Sequence, residues 1–221
     1  MITEILTNPR AFFGTICTNE PSLKIPAIII FVMAIVGSVT GYMMGELSGK
    51  LFSGMMEGLA TIAAVSAAIT TFISTFVIWL VAAVILFGLQ KIVQGTGTFK
   101  RVMEICGYGM VPLVFATIIT LLLSGYYIPQ ADISPIRSTN PEEISQAAMS
   151  MMLDPALHEF SIISTIVTII FLIWVANIWS IGVETCCGLP AKKALIVAGL
   201  PVLIYIAYTL SSLLLFTGGS V

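Results

Sequence analysis

The sequence predicts an all-α membrane protein: a bundle of five transmembrane helices preceded by a short N-terminal amphipathic helix. Two observations predict this class. The 221 residues are 58% hydrophobic and only 9% charged, whereas a soluble domain carries about 25% charged residues. The charged residues are also confined, because five long windows contain none of them. Each window is long enough for the roughly 20 apolar residues that cross a bilayer as a helix. They are 25–45, 58–90, 105–131, 160–183 and 194–221.

The windows are apolar on every side, whereas the strands of a transmembrane barrel alternate apolar and polar residues. We therefore predict helices and divide the chain into a cytoplasmic leader, residues 1–24, and a transmembrane domain, residues 25–221, with an external loop at about 129–159. Basic residues are concentrated on the cytoplasmic side of a membrane protein. Seven of the nine basic residues share the side of the leader, and only Lys50 and Arg137 lie opposite. This bias predicts a cytoplasmic N-terminus and an external C-terminus.

The leader contains a helix-start signal, because Asn8 can cap a helix and Pro9 suits its first position. Phe12 and Phe13 then fall on one face, which predicts a short amphipathic helix. Two locations for this helix stay open. It lies in the cytoplasmic interface of the membrane, or it packs against the other helices.

Span one and the residues that follow it have glycines at a strict spacing of four. Other positions of the span, such as Ile29, are expected to face lipid. Glycine lets two helices approach closely in a membrane, so these glycines predict a helix-packing face. Its partner is either span two or a second copy of the chain in a homodimer. The face consists of Gly37, Gly41, Gly45 and Gly49.

Span two is longer than the bilayer requires, since 33 residues make about 50 Å of helix against about 30 Å of hydrocarbon. The first half of this span consists mainly of residues with small or hydroxylated side chains, which favours close packing against another helix. The alternative is a hydroxyl-lined path for a polar solute. Thr70, Thr71 and Ser74 are the candidate lining residues. Asn177 in span four is the fourth candidate, and we expect it to face protein.

Spans three and five each contain a proline, and a proline kinks a helix by removing a backbone donor. Spans two and three weakly resemble spans four and five, because Trp79 and Pro112 of the first pair correspond to Trp174 and Pro201 of the second. In the external loop, Asn140 followed by a proline and two acids predicts a further short helix.

Charged residues cluster at the predicted cytoplasmic ends of spans three to five. They either anchor the helices at the interface or form a docking patch for a protein partner or for anionic lipid headgroups. These candidates are Lys100, Arg101, Glu104, Glu184, Lys192 and Lys193.

The four cysteines, Cys17, Cys106, Cys186 and Cys187, lie near the same predicted side. Because the cytoplasm is reducing, we expect no structural disulfide, and the spacing matches no zinc pattern. The only histidine, His158, falls in the external loop and cannot serve a catalytic triad within the membrane. No hydrolase, phosphate-binding or metalloprotease motif is found. We therefore expect no catalytic residue, metal, cofactor or nucleic-acid partner.

The segments GTGTFKRVMEICGYGMVP (95–112) and IWVANIWSIGVETCCGLPAKKALIVAGLP (173–201) resemble the Ypt-interacting protein (Yip) family, and NPRAFF (8–13) resembles the start of its prokaryotic members. The resemblance implies a five-span plan and a prokaryotic plasma-membrane location. Eukaryotic members are implicated in small-GTPase binding and in shaping secretory membranes, while prokaryotic members largely lack an assigned activity. The given sequence does not contain the Asp-Leu-Tyr-Gly-Pro motif of the eukaryotic relatives, so no GTPase-contact residue is carried over.

Two functions follow as hypotheses. The first is a non-enzymatic membrane organiser or partner-binding scaffold of the Yip type, with an unknown protein partner on the cytoplasmic side. The alternative is a small transporter or channel for a polar solute.

Overall fold

The computed structural model describes residues 2–54, 58–136 and 140–218, and within these ranges all regular secondary structure is helical. Five stretches, Lys24–Leu51, Leu59–Ile92, Phe99–Gln130, Pro155–Cys187 and Ala191–Leu213, are long and apolar enough to cross a membrane. The predicted fold class is confirmed. The helices are α1 (Ile2–Thr7), α2 (Pro9–Ile16), α3 (Lys24–Leu51), α4 (Leu59–Ile92), α5 (Phe99–Gly109), α6 (Val111–Tyr127), α7 (Pro141–Met152), α8 (Pro155–Cys187) and α9 (Ala191–Gly218), with a 3₁₀ turn at Ile128–Gln130.

The third span consists of two helices, because α5 ends at Gly109 and α6 begins at Val111. The backbone N–H of Met110 donates to the carbonyls of Cys106 (3.2 Å) and Gly107 (3.3 Å) and ends α5. Pro112 follows at the second position of α6, where its missing N–H costs no helical hydrogen bond. The proline predicted to kink this span therefore begins a new helix.

The helix predicted in the external loop is also present. The side chain of Asn140 accepts a hydrogen bond from the backbone N–H of Glu142 (3.0 Å) and begins α7 with Pro141 at its first position. Arg137, which entered the predicted charge bias, lies outside the described residues.

The chain forms two compact units. The first contains Met1–Met33, Thr75–Ala116 and Thr168–Tyr208. Its core surrounds α5, whose residues Val102, Ile105 and Cys106 are fully buried. Half of the most apolar window of the third span is buried, against 17–22% for the other four spans. The third span is therefore the most buried of the five.

The second unit contains Ala34–Ser74, Thr117–Val167 and Thr209–Val221. A small apolar cluster of Leu47, Ile128 and Leu157 holds the start of the external loop. The carboxylate of Asp154 accepts hydrogen bonds from the backbone N–H groups of Asp132 (3.2 Å) and Leu157 (3.0 Å). This one side chain thus fixes both ends of the loop and caps the first turn of α8.

Candidate functional site

The leader belongs to the first unit and packs against its other helices. Asn8 caps α2 by accepting a hydrogen bond from the backbone N–H of Ala11 (3.3 Å), as predicted. Phe12 and Phe13 are 3% and 0% exposed, and the ring of Phe12 meets that of Tyr108 edge to face at 5.0 Å. Of the two locations left open for this amphipathic helix, the structure therefore shows packing against the other helices.

Two buried charges on α5 hold the segment that follows α2. Arg101 and Glu104 form an ion pair and are only 7% and 3% exposed. The guanidinium of Arg101 also donates to the backbone carbonyls of Ile16 (3.1 Å) and Asn19. The carboxylate of Glu104 accepts from the backbone N–H of Ser22 (3.0 Å). We call Arg101 and Glu104 the leader clamp.

The leader clamp satisfies the condition under which buried charges are tolerated, since the two charges are paired with each other and each also bonds backbone groups of the leader. These two members of the predicted docking patch therefore bind the leader and are not open to a partner. The sequence signal was present, because Arg101 and Glu104 stand three apart on α5 and share a face.

The other four members of the predicted patch lie at the surface of the first unit. Lys100, Lys192 and Lys193 are exposed, and Lys193 donates to the backbone carbonyl of Val93 (3.2 Å). Glu184 accepts two hydrogen bonds of 3.0 Å from the guanidinium of Arg10 in the leader. We call Lys100, Lys192 and Lys193 the lysine patch; no ion pair to any of them is found among the described residues.

A disulfide joins Cys17 in the leader to Cys186 at the end of α8, so the expectation of no structural disulfide is wrong for this structure. That expectation rested on the redox state of the cytoplasm alone. The fold brings residues 169 positions apart to a Cα–Cα distance of 5.3 Å, which suits a disulfide. Cys106 and Cys187 are free and buried.

We expect reductant to destabilise the protein. Opening the Cys17–Cys186 bond frees a long loop in the unfolded chain, and such a bond typically contributes about 2–4 kcal/mol. Thermal unfolding of the oxidised protein in detergent, with and without dithiothreitol, measures the loss. The double variant Cys17→Ser and Cys186→Ser is the control, because its melting temperature should not respond to reductant. Equal melting of the wild-type protein in both conditions would contradict a stabilising role.

Two tryptophans from different helices bind α5 in the same way. The indole N–H of Trp79 on α4 donates to the carbonyl of Met103 (3.0 Å), and that of Trp179 on α8 donates to the carbonyl of Cys106 (3.0 Å). Gly109 leaves the space for the Trp179 ring, and Gly107 leaves space for Pro26 and, less tightly, for the Trp79 ring. The structural counterpart of Trp79 is thus Trp179, and not the predicted Trp174, which is 38% exposed.

A buried glutamine that the sequence reasoning missed fixes the turn before α5. Gln90 is fully buried, and its amide nitrogen donates to the carbonyl of Gly97 (3.0 Å). Thr96 in the same turn donates through its backbone N–H (3.0 Å) and its hydroxyl (3.1 Å) to the carbonyl of Cys187. The only available signal was a polar residue inside an otherwise apolar window. This turn is therefore joined to the end of α8 by hydrogen bonds, and Lys193 bonds Val93 just before it.

In the second unit, the glycine face of α3 lies against the small residues of α4. An added Cβ on Gly45 would approach the carbonyl oxygen of Ala63 and the Cβ of Ala67 to 2.6 Å, and one on Gly49 would approach the Cα of Ala60 to 2.5 Å. At Gly41 the carbonyl oxygen of Ala67 is 3.1 Å away, whereas Gly37 has only an ordinary contact at 3.5 Å. The face is therefore filled by α4.

Beside this contact the two helices leave an open groove of about 490 Å³. Thr70 and Thr71, two of the predicted polar candidates, line the groove together with Ser48 and Ser66. The hydroxyls of Ser48, Ser66 and Thr71 donate to carbonyls of their own helices at 2.7–2.9 Å. Ser74 is not among the lining residues.

Two residues have surroundings opposite to those predicted. Asn177 was expected to face protein, but its side chain is exposed on α8 in the first unit. Ile29 was expected to face lipid, but it is 6% exposed and belongs to the core of the first unit. Its neighbour Ile28 is 60% exposed. In a helix apolar on all sides, composition does not reveal which side is buried.

The site consists of exposed lysines beside a leader whose backbone is held by hydrogen bonds. No three His, Cys, Asp or Glu side chains in the described ranges are grouped as metal ligands. With its five apolar spans, the molecule is a polytopic α-helical integral membrane protein. Residues 3–213 match the Yip1 domain, so the chain belongs to the Yip1 domain family. The resemblance drawn from the sequence is confirmed.

A second comparison agrees with a prokaryotic type of member. The chain is 30% identical over 125 residues to an uncharacterized protein of Methanocaldococcus jannaschii. The aligned region covers 57% of this chain and 89% of the archaeal protein. No solved structure matches the chain.

Proposed function

We propose that this protein is a non-enzymatic membrane organiser, a scaffold of the Yip type that gathers anionic lipid headgroups around its cytoplasmic end. The observation that carries the proposal is the end of the first unit where the leader clamp and the lysine patch lie. There the leader is held by the leader clamp, and the lysine patch stays exposed. Because the backbone at this end is fixed, it presents the lysines from one arrangement and loses little backbone conformational entropy when a ligand binds.

The charge of the lysine patch suits the inner leaflet of a membrane. Anionic lipids give that leaflet a negative surface potential, and each lysine near it contributes about 1 kcal/mol. The positive-inside bias of the sequence supports a cytoplasmic location for this end of the protein. Glu4 and Glu20 are also exposed on the leader and oppose the attraction in part, so we assign the lipid contact to the lysine side.

The test is to count the lipids that stay bound. Native mass spectrometry of protein extracted from vesicles of equal phosphatidylglycerol and phosphatidylcholine should show enrichment of the anionic lipid. The variant Lys100→Gln, Lys192→Gln and Lys193→Gln should lower this enrichment by about tenfold or more, since three contacts of about 1 kcal/mol are lost. Lys50→Gln is the matched control, because Lys50 already pairs with Glu46 (2.9 Å). Equal enrichment in all three proteins would refute the proposal.

Vesicle shape provides the second readout. Electron microscopy of the same proteoliposomes should show smaller or tubulated vesicles with the wild-type protein, and this effect should weaken with the lysine variant and in high salt, which screens surface charge. Unchanged vesicles at every protein density would remove the organiser role, even if lipid enrichment is found.

A transporter or channel is the second candidate, and the groove beside the glycine face favours it. Its volume of about 490 Å³ is in the usual range for small-molecule sites. Most of its hydroxyls, however, already bind backbone carbonyls. Glycerol flux into proteoliposomes tests this function. Flux above that of protein-free vesicles, lowered by Thr70→Val, would support it, and flux equal to the blank would exclude glycerol as the solute.

A further inference from the structure

Asn177 lies on α8 with its side chain exposed, and no hydrogen bond from it is found within the described part of the chain. It precedes Glu184 by seven residues, which is about 10 Å along a helix. Glu184 meets Arg10 in an ion pair at the polar end of the first unit, and the window 160–183 contains no charge. The amide of Asn177 therefore lies inside the apolar span.

An amide facing hydrocarbon leaves its donors and acceptor unsatisfied, which is costly where no water is present. A lysine can extend its charged end to the headgroups, but the short side chain of asparagine cannot cover about 10 Å. The cost is removed when a second protein surface supplies a matching polar group.

We propose that this surface is α8 of a second copy of the chain, so that the protein forms a parallel homodimer through Asn177. A carboxamide carries both a donor and an acceptor, and two of them related by a twofold axis exchange two hydrogen bonds. The neighbours support the geometry. Ile170 and Ile173, 58% and 60% exposed, precede Asn177 at intervals of seven and four residues.

These intervals are those of a heptad repeat, in which apolar positions recur after three and four residues. A single asparagine in such a seam selects the register and the number of helices. The interface proposed here differs from the glycine face predicted from the sequence. That face is filled by α4 within the chain, since Gly45 and Gly49 already contact Ala63 and Ala60. The inference does not depend on the lysine patch or on lipid binding.

Association is measured by energy transfer between donor-labelled and acceptor-labelled protein in neutral phosphatidylcholine vesicles, diluted with lipid. We expect a dimer, and we expect Asn177→Leu to raise its dissociation constant by about fivefold or more, the effect of about 1 kcal/mol for interhelical hydrogen bonds. Thr61→Leu, which changes an exposed polar residue of α4, should leave the constant unchanged. Asn177→Leu should also melt normally in dilute detergent, because its side chain is exposed in the single chain.

Cysteine crosslinking locates the contact independently. With Asn177 intact, Ile173→Cys should form a crosslinked dimer under copper phenanthroline, while Ile62→Cys, 63% exposed on α4, should not. The native cysteines give little background, because two are paired and two are buried. A monomer in vesicles, equal dissociation constants for the wild-type protein and Asn177→Leu, or equal crosslinking at both positions would overturn the proposal.

Discussion

Replacing Gly45 by leucine will destabilise the protein more than any single exposed substitution. The first added carbon would approach the carbonyl oxygen of Ala63 to 2.6 Å and the Cα of Ala64 to 2.9 Å. These atoms belong to the backbone, so no side chain can turn away to make room. Overpacking a core costs about 1–3 kcal/mol, and we expect the upper end of this range because α3 and α4 must separate.

Gly125→Leu is the matched control for Gly45→Leu. Gly125 also lies in a helix of the second unit, and nothing is within 4 Å of a Cβ added there. Both variants carry the same gain in helix propensity and in volume, so their difference isolates the packing contact. The free energy of unfolding in detergent measures it. Equal losses for the two variants would show that the glycine face has no packing role.

Removing one partner of the leader clamp will be the second large effect. In Arg101→Ala the carboxylate of Glu104 stays buried without its cation, and in Glu104→Ala the guanidinium of Arg101 loses its anion. Breaking a buried ion pair in this way costs about 3–5 kcal/mol. We expect a loss of this size in the free energy of unfolding for each single variant.

The leader itself provides a more specific measurement. When Arg101 is removed, the carbonyls of Ile16 and Asn19 lose their donor, so the segment should become a substrate for chymotrypsin, which cleaves after residues such as Phe13 and Leu23 on either side of it. Arg10→Ala is the control, since its pair with Glu184 is 66% exposed on the arginine side and surface pairs contribute about 0–1 kcal/mol. A leader that stays protected in Arg101→Ala would contradict the clamp.

The spans could be predicted because charge is excluded from the hydrocarbon, and this leaves a direct mark on the sequence. The helix starts at Asn8 and Asn140 could be predicted because capping depends on residues only two or three positions away. Both are local or compositional signals, and both were confirmed.

The contacts between distant segments could not be predicted. Ile28 and Ile29 have the same chemistry, yet one is 60% and the other 6% exposed, because lipid and protein interior are equally apolar and leave no periodic signal. Lys100 and Arg101 are neighbours with the same charge, yet Lys100 is exposed whereas Arg101 is buried and bonds the leader. The pairing of Cys17 with Cys186 depends on the same folding back of the leader.

The groups that hold the leader have a consequence for how the protein is made. The carbonyl of Ile16 is bound by a residue 85 positions further along the chain, and Cys17 by one 169 positions further along. A ribosome finishes the leader long before it reaches either of them. The leader is therefore translated well before its partners, and it reaches its final position only after the fourth span has been made.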